Sequence, residues 1–369
     1  MYINAFSILF SDAFSNEQIS EISRFRNLAS VPFGGRYRLI DFILSSLVRA
    51  EVPNVGIITR SNYGSLVDHL GAGKDWDLDR KHGGLKILTP FADNNGQTFR
   101  NKFEALNSIK NYIKNNLQDY CIMSDSNMIC NIDFRDLLKK HIDTNADITM
   151  LYKKSKVKAM DTEVFLENSY ISDVLYHSEE LADERNVLLK IYILKKEFLL
   201  RLIDKGITFG WNDISKDFIA KNLADYKFCA YEHTTYLATI CKTDEYYKAS
   251  MDLLKPEIRN EIFKSGTNIL TKTKDSVPTM YGKHSNVINS LVADGCKIDG
   301  TIENCIIFRD VTIKKGCVIK NSIIMQGSYI GENCMISNII SDKIISISEN
   351  KVLSGSESLP FVIAKGMHI

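Results

Sequence analysis

No Cys-x-x-Cys pair occurs in this 369-residue chain, and its eight cysteines, at 121, 130, 229, 241, 296, 305, 317 and 334, have no paired histidines to complete a zinc site. Buried free thiols in a reducing cytoplasm are the expectation. Glycine and proline are also sparse, at 20 and 6 residues, which excludes a collagenous or low-complexity chain. Charge of one sign is missing too: 46 Lys and Arg face 45 Asp and Glu. A net charge of +1 supplies no broad field for nucleic acid or for an anionic membrane surface, although it leaves room for a local basic pocket. The longest apolar runs, Ile3 to Phe10 and Asn338 to Ile347, are too short to span a bilayer, and no basic segment precedes the first. A cytoplasmic chain without an export or anchoring signal is therefore expected, with no nucleic acid and no membrane among its partners.

What is present is an ordinary globular balance, 44% hydrophobic and 25% charged, enough for two packed domains. Up to about residue 254, short β-type runs alternate with helical ones, the pattern of βαβ units around a mainly parallel sheet. Ile3 to Phe10 reads as a first strand. Leu39, Ile40, Ile43, Leu44, Leu47 and Val48 fall at helical spacing, and Asn54 to Thr59 follows as a second strand after Pro53. Tyr120 to Ser124, Ile148 to Tyr152, Ile191 to Leu194 and Tyr226 to Tyr231 are further strand candidates.

From Val287 the period changes. Ile307, Ile313 and Ile319 are six apart, as are Ile324, Ile330 and Ile336, with one five-residue step between the two series. GCKI (295–298), KGCVI (315–319) and ENCMI (332–336) run around them, as do NCII, NSII and SNII at 304, 321 and 337. A repeat of roughly three hexads per turn buries its face only against its neighbours, which defines a left-handed parallel β-helix. The isoleucines are its inward ladder. Cys296, Cys317 and Cys334 are expected at a similar place in successive coils, as small hydrophobes rather than metal ligands. Lys255 to Asn286, with Pro256, Gly266, Pro278 and Gly282, reads as an ordered linker. The expected division is thus 1–254 for the α/β domain, 255–286 for the linker and 287–369 for the β-helix. Stacked coils leave edges and flat faces that a second subunit can cover.

The stretch VPFGGRYRLIDFILSSLVRAEVPNVGIITR (31–60) resembles the glucose-1-phosphate adenylyltransferases, the ADP-glucose pyrophosphorylases of bacterial glycogen synthesis. LVDHLGAGKDWDLDR (66–80), IYIL (191–194), DISKDFI (213–219), DEYYKASMDLL (244–254) and the run from Thr271 to Val311 resemble the same family, in the same order, over essentially the whole chain. The resemblance implies a nucleotidyltransferase-like, Rossmann-like α/β domain ahead of the β-helix. It also implies a reaction that joins glucose 1-phosphate to the α-phosphorus of ATP. That reaction asks for backbone N–H groups around a triphosphate, a divalent metal on carboxylates, and cations.

Those parts are altered here. The family's glycine-rich loop corresponds to SDAFSNEQISEIS (11–23), which has no glycine and two glutamates. Its Gly-Thr-Ala-Asp-Ala corresponds to Asn101 through Ala105, where Phe103 is expected to crowd the nucleotide. Its Gly-Asp-His, whose aspartate holds the metal, corresponds to Ser126, Asn127 and Met128. Its Trp-Arg-Asp falls on Leu237, Ala238 and Thr239, and its Ser-Met-Gly on Leu188, Leu189 and Lys190. A Glu-Lys-Pro that grips the sugar phosphate has no counterpart, and only Asp213 survives from the sugar side. Asp125 is the one carboxylate that a shifted register offers to a metal. The resemblance therefore implies no catalytic residue and no metal or other cofactor in this chain, with Mg²⁺ and ATP belonging to a catalytic partner.

The retained blocks match the non-catalytic, GlgD-type branch of that family, whose members assemble with a catalytic subunit and change its activity. A hetero-oligomer with a catalytic glucose-1-phosphate adenylyltransferase subunit, by family likeness a tetramer, is the expected assembly. Arg24, Arg26, Arg36 and Arg38 form a local basic cluster. Arg26 and Arg38 match positions lining the family's effector site for sugar phosphates or nucleotides, while the family's lysine is here Leu28; equally, they pair with acids. Arg24 and Arg36 are expected to pair with Glu21 or Asp41. Trp76 is expected to anchor its loop by packing. The coils at 295–340 contain no histidine, which argues against an acyltransferase of β-helix type. Two rival readings stand beside the regulatory subunit: a weakly active sugar-1-phosphate nucleotidyltransferase, and a stand-alone sugar-phosphate sensor.

Overall fold

The computed structural model describes residues 4–12, 20–89, 99–264 and 266–369. Most of the segment compared with the phosphate loop, residues 13–19, lies outside them. A nine-stranded sheet runs in the order 84–88, 54–58, 5–10, 120–125, 181–195, 148–157, 228–232, 170–176 and 162–167. Its first four strands are mutually parallel. Leu181–Lys195 then pairs antiparallel on both sides, and Phe228–Glu232 lies parallel to Ile148–Val157. Ala5–Phe10 is buried along its whole length, as a central strand covered on both faces must be. Helix Leu39–Arg49 covers one face with the apolar positions read from its spacing, and Asp41 in its first turn accepts the Arg38 N–H at 2.9 Å.

Three parallel five-stranded ribbons stack into the β-helix. Ile298, Ile313, Ile330 and Ile347 form one inward ladder, and Ile302, Ile319 and Ile336 a second, closed by Leu353. Asn304, Asn321 and Asn338 turn the corner between the second and third faces at φ of 52°, 46° and 53°, a left-handed region that asparagine tolerates. Their side chains help tie the coils together: Asn304 Nδ2 donates to Asn321 Oδ1 at 3.2 Å. The cysteines differ from expectation in one respect. Cys317 and Cys334 stack in register at the entry to the second face, whereas Cys296 stands at the entry to the first face, level with Val311, and Gly300 takes the place that stacks on Cys317. Coil stacking also starts earlier than Val287, at Met280–Tyr281 against Lys297–Ile298. The stretch between the two parts carries helix Pro256–Ile262.

The third face has two apolar sides. Ile307 and Ile324 point into the β-helix, while Ile306, Ile323 and Ile340 point out and join one core with Phe33, Leu39, Phe42, Tyr246, Tyr247 and Leu253 of the α/β domain. Tyr247 reaches across, donating its hydroxyl hydrogen bond to the Asn321 carbonyl at 2.6 Å. The Pro32–Phe33/Tyr37–Arg38 hairpin is pressed against the coils through Gly35, at φ 84°, where a Cβ would lie 3.7 Å from both Ala293 Cβ and the Ile307 carbonyl. Inside the same junction Arg26 Nη2 pairs with Asp342 Oδ1 at 2.9 Å, both side chains almost wholly buried. Asp342→Ala should therefore cost about 3–5 kcal/mol, because it strands a buried guanidinium. Urea denaturation measures this, and a loss below about 1 kcal/mol contradicts the burial argument.

Candidate functional site

Two sites can be built from this framework: one at the carboxyl ends of the parallel strands, where open α/β sheets bind ligands, and one between the domains.

At the first, strand Tyr120–Asp125 delivers Asp125, and helix Lys102–Ser108 begins beside it. Asn101 caps that helix by accepting the Glu104 N–H at 2.9 Å, which sets the direction of the next side chain. Lys102 Nζ meets Asp125 Oδ1 at 2.5 Å with both side chains buried, and lies 4.8 Å from the centre of the Phe10 ring. Burial pulls the Lys102 ammonium below its ordinary range, and Lys190 adds to this; Asp125 and Asp213 oppose it. Lys190 is enclosed by protein yet open to solvent, as in a cleft. Enclosure works against its charge, but Asp125, Asp213, Cys241 and Asp161 outweigh it and raise its pKa. Asp161 is itself raised by burial, and the Tyr192 hydroxyl, 3.0 Å from Ser215 Oγ, is raised by burial and by Asp213. Asp213 caps the next turn, accepting the N–H groups of Ser215 and Lys216.

The expected replacements do come together. Asn127 Nδ2 donates to the Ile240 carbonyl at 2.8 Å and approaches Cys241 Sγ at 3.4 Å, while Ala238 and Thr239 pair antiparallel with Ile129 and Met128. Burial, then Glu245, pushes the Cys241 thiol up to about 11. Phe103 departs from expectation: it is fully buried against Gly206 and Trp211 and fills the core under the helix instead of the nucleotide space. The side chain that reaches Asp125 from the start of this helix is Lys102. Its position next to the cap residue Asn101 was the available signal, and it was overlooked because Phe103 was the bulkier substitution. These residues do not fit a divalent ion. Asp125 is engaged by an ammonium, Asn127 offers at most a neutral oxygen, and among the described residues no group of three His, Cys, Asp or Glu could hold a metal.

The second site is a crevice between the 32–38 hairpin and the β-helix. Arg36, Arg38, Lys272, Lys274, Arg309 and Lys343 line it together with His69, and no carboxylate is among its lining residues within the described part of the chain. Arg38 Nη1 donates to the Ser65 carbonyl and hydroxyl at 2.7 and 2.6 Å, and burial, with Arg26 nearby, pulls its pKa down to about 10. Arg26 does not line the crevice; it lies in the junction, held by Asp342 and by the Ile22 carbonyl. Asp41 is fully buried and bonds His69 Nε2 at 2.7 Å, and Glu21 accepts from Thr243, so the partners expected for Arg24 and Arg36 are engaged elsewhere. Arg24 lies over the Phe25 ring and Arg36 over the Tyr37 ring. Trp76 packs edge-on against His69, fully buried, in the anchoring role expected of it. Sequence reasoning missed Lys272, Lys274, Arg309 and Lys343, which no local motif links to Arg38; only the docking of the β-helix brings them together.

Lys343 has the most to gain from an anion. Burial, then Arg38 and Arg26, lower its pKa to about 7, with Asp342 opposing. An anion in the crevice restores its proton, so binding takes up a proton wherever free Lys343 is deprotonated, and affinity rises as pH falls towards 7. Sulfate, which does not titrate in this range, should bind more tightly at pH 7 than at pH 8.5, with the gain levelling off below pH 7. Lys343→Met should flatten that profile in calorimetric titration.

A nucleotidyltransferase-type sheet joined to a hexapeptide-repeat β-helix defines the class of protein. The profile described as "Nucleotidyl transferase" matches residues 16–162, and "GlmU-like, C-terminal hexapeptide" matches 275–357. The chain is 38% identical to the "Glycogen biosynthesis protein GlgD" of Bacillus subtilis, over 95% of this chain and 92% of that protein. It is 35% identical to the protein of the same name from Geobacillus stearothermophilus, over 95% and 93%. Identity to the "Glucose-1-phosphate adenylyltransferase" of Geobacillus stearothermophilus is 29%, over 81% and 80%. The chain belongs to the glucose-1-phosphate adenylyltransferase family and, within it, to the GlgD glycogen biosynthesis proteins. Among the described residues no helix is long and apolar enough to cross a membrane.

Proposed function

We propose that this chain is a catalytically inactive regulatory subunit of a cytoplasmic glucose-1-phosphate adenylyltransferase, acting in ADP-glucose and glycogen synthesis. It assembles with a catalytic subunit, and the ATP and Mg²⁺ of the reaction belong to that partner. The observation that carries this reading is a contrast within one chain. The strand-end pocket is filled by its own Lys102–Asp125 pair, while the crevice between the domains presents six Lys and Arg side chains to an anion. Of these cations Arg309 has Asp294 beside it at 3.5 Å, and the surplus of Arg and Lys suits a phosphate ester, a sugar phosphate or a nucleotide. Because the crevice has one wall on each domain, a bound anion draws the hairpin and the coils together, and a partner seated on either domain feels it.

The coils also offer a face for assembly. Val318, Met335 and Val352 stack in register on the outer side of the second face, with Met335 and Val352 exposed. Loss of metal and phosphate ligands costs about 10²–10³ in rate for each stabilising contact, so the chain alone should release no pyrophosphate from ATP, Mg²⁺ and glucose 1-phosphate. Mixed with the purified catalytic subunit, it should co-elute as one larger species and change the rate or effector response of that subunit at least twofold. Separate elution, with rate and response unchanged, contradicts the proposal.

A further inference from the structure

In a pocket of this fold an ammonium facing a buried carboxylate can be an accident of packing or a replacement for something else that was positive. The geometry favours replacement. Lys102 is the first residue of its helix, where the N–H groups point outward and a cation is disfavoured, so nothing local recommends it. It is nevertheless held there, by Asp125 at 2.5 Å and by the face of Phe10. Two residues beyond Asp125, Asn127 turns its amide nitrogen to the Ile240 carbonyl, which leaves Oδ1 buried and without a hydrogen-bond partner. A buried oxygen left bare costs stability unless something positive is near. Asp213 and Asp161, like Asp125, act on the Lys190 ammonium and raise its pKa.

We propose that the Lys102 ammonium is the resident cation of this pocket: it occupies the carboxylate that a divalent ion would need and keeps the pocket folded and nearly charge-balanced without metal. The inference deepens the catalytically silent part of the proposed function. It is read on the chain alone, so its failure is distinguishable from a failure to assemble or regulate. The corollary is that removing the ammonium frees Asp125, two residues from the bare Asn127 Oδ1, to take another cation.

The test is Mn²⁺ binding, followed by electron paramagnetic resonance and by thermal melting, on three proteins. The wild type should bind no stoichiometric Mn²⁺ at millimolar concentration, and its Tm should not move. Lys102→Met should melt lower, bind one Mn²⁺ per chain at least tenfold more tightly than the wild type, and recover part of its Tm on adding Mn²⁺. Lys102→Met combined with Asp125→Asn should lose that binding and that recovery. A Lys102→Met protein that folds and gains no Mn²⁺ affinity overturns the proposal. Should Lys102→Met not fold, the wild type decides by itself against Asp125→Asn: stoichiometric Mn²⁺ bound by the wild type and lost in Asp125→Asn overturns the proposal, and its absence from the wild type upholds it.

Discussion

The outward side of the third β-helix face is the constraint on which the rest depends. Ile306, Ile323 and Ile340 would be an exposed apolar stripe if the coils stood alone, and they are buried only because Tyr246, Tyr247, Leu253 and the 32–38 hairpin cover them. At about 25 cal/mol per Å² of apolar surface buried, three isoleucines and the rings against them hold the two parts together far more firmly than any single polar contact. The polar contacts fix the register. Arg26 with Asp342 and Tyr247 with Asn321 each cross the junction, and together they decide which basic residues face one another over the crevice. An interface that firm fixes which charges face the crevice, whose unfavourable crowding of like charges persists until an anion relieves it.

The same chain shows opposite treatment of charge in its two sites. In the strand-end pocket, cations and carboxylates are matched side chain against side chain. Between the domains, cations outnumber the acids beside them, and burial, with the neighbouring cations adding to it, depresses the pKa values of Arg38 and Lys343. Closed charge favours stability and open charge favours binding. A neutral total of +1 conceals both arrangements, which is why net charge said nothing about phosphate esters.

Legibility in the sequence followed the range of the interaction. The β-helix was readable because its spacing is local: six-residue steps of isoleucine and repeated Asn-x-Ile-Ile corners. The register of Cys296 was not, since the Gly-Cys-x-Ile around it is the same as that around Cys317 but opens a different face. The central strands were readable as apolar runs, whereas 162–167 and 170–176 alternate with polar residues at a sheet edge and were not recognised. Asn127, Ala238 and Thr239 were found by likeness to a motif, and the fold brings them together. Lys102 was missed because its meaning lies in Asp125, and Lys343 because its meaning lies in Arg38; both pairs form only on folding. For Arg26 the sequence left an effector role and pairing with an acid equally open; the acid it pairs with, Asp342, was not readable, since it lies 316 residues away.

The central claim is that one chain senses an anion between its domains and passes the effect to a catalytic partner. The most direct measurement reconstitutes that partner with a chain carrying Arg38→Ala and Lys343→Met and follows activity against effector concentration. Assembly should persist, with the same mass, while the part of the effector response that this chain contributes is lost. A response as large as that with the unaltered chain would contradict the account.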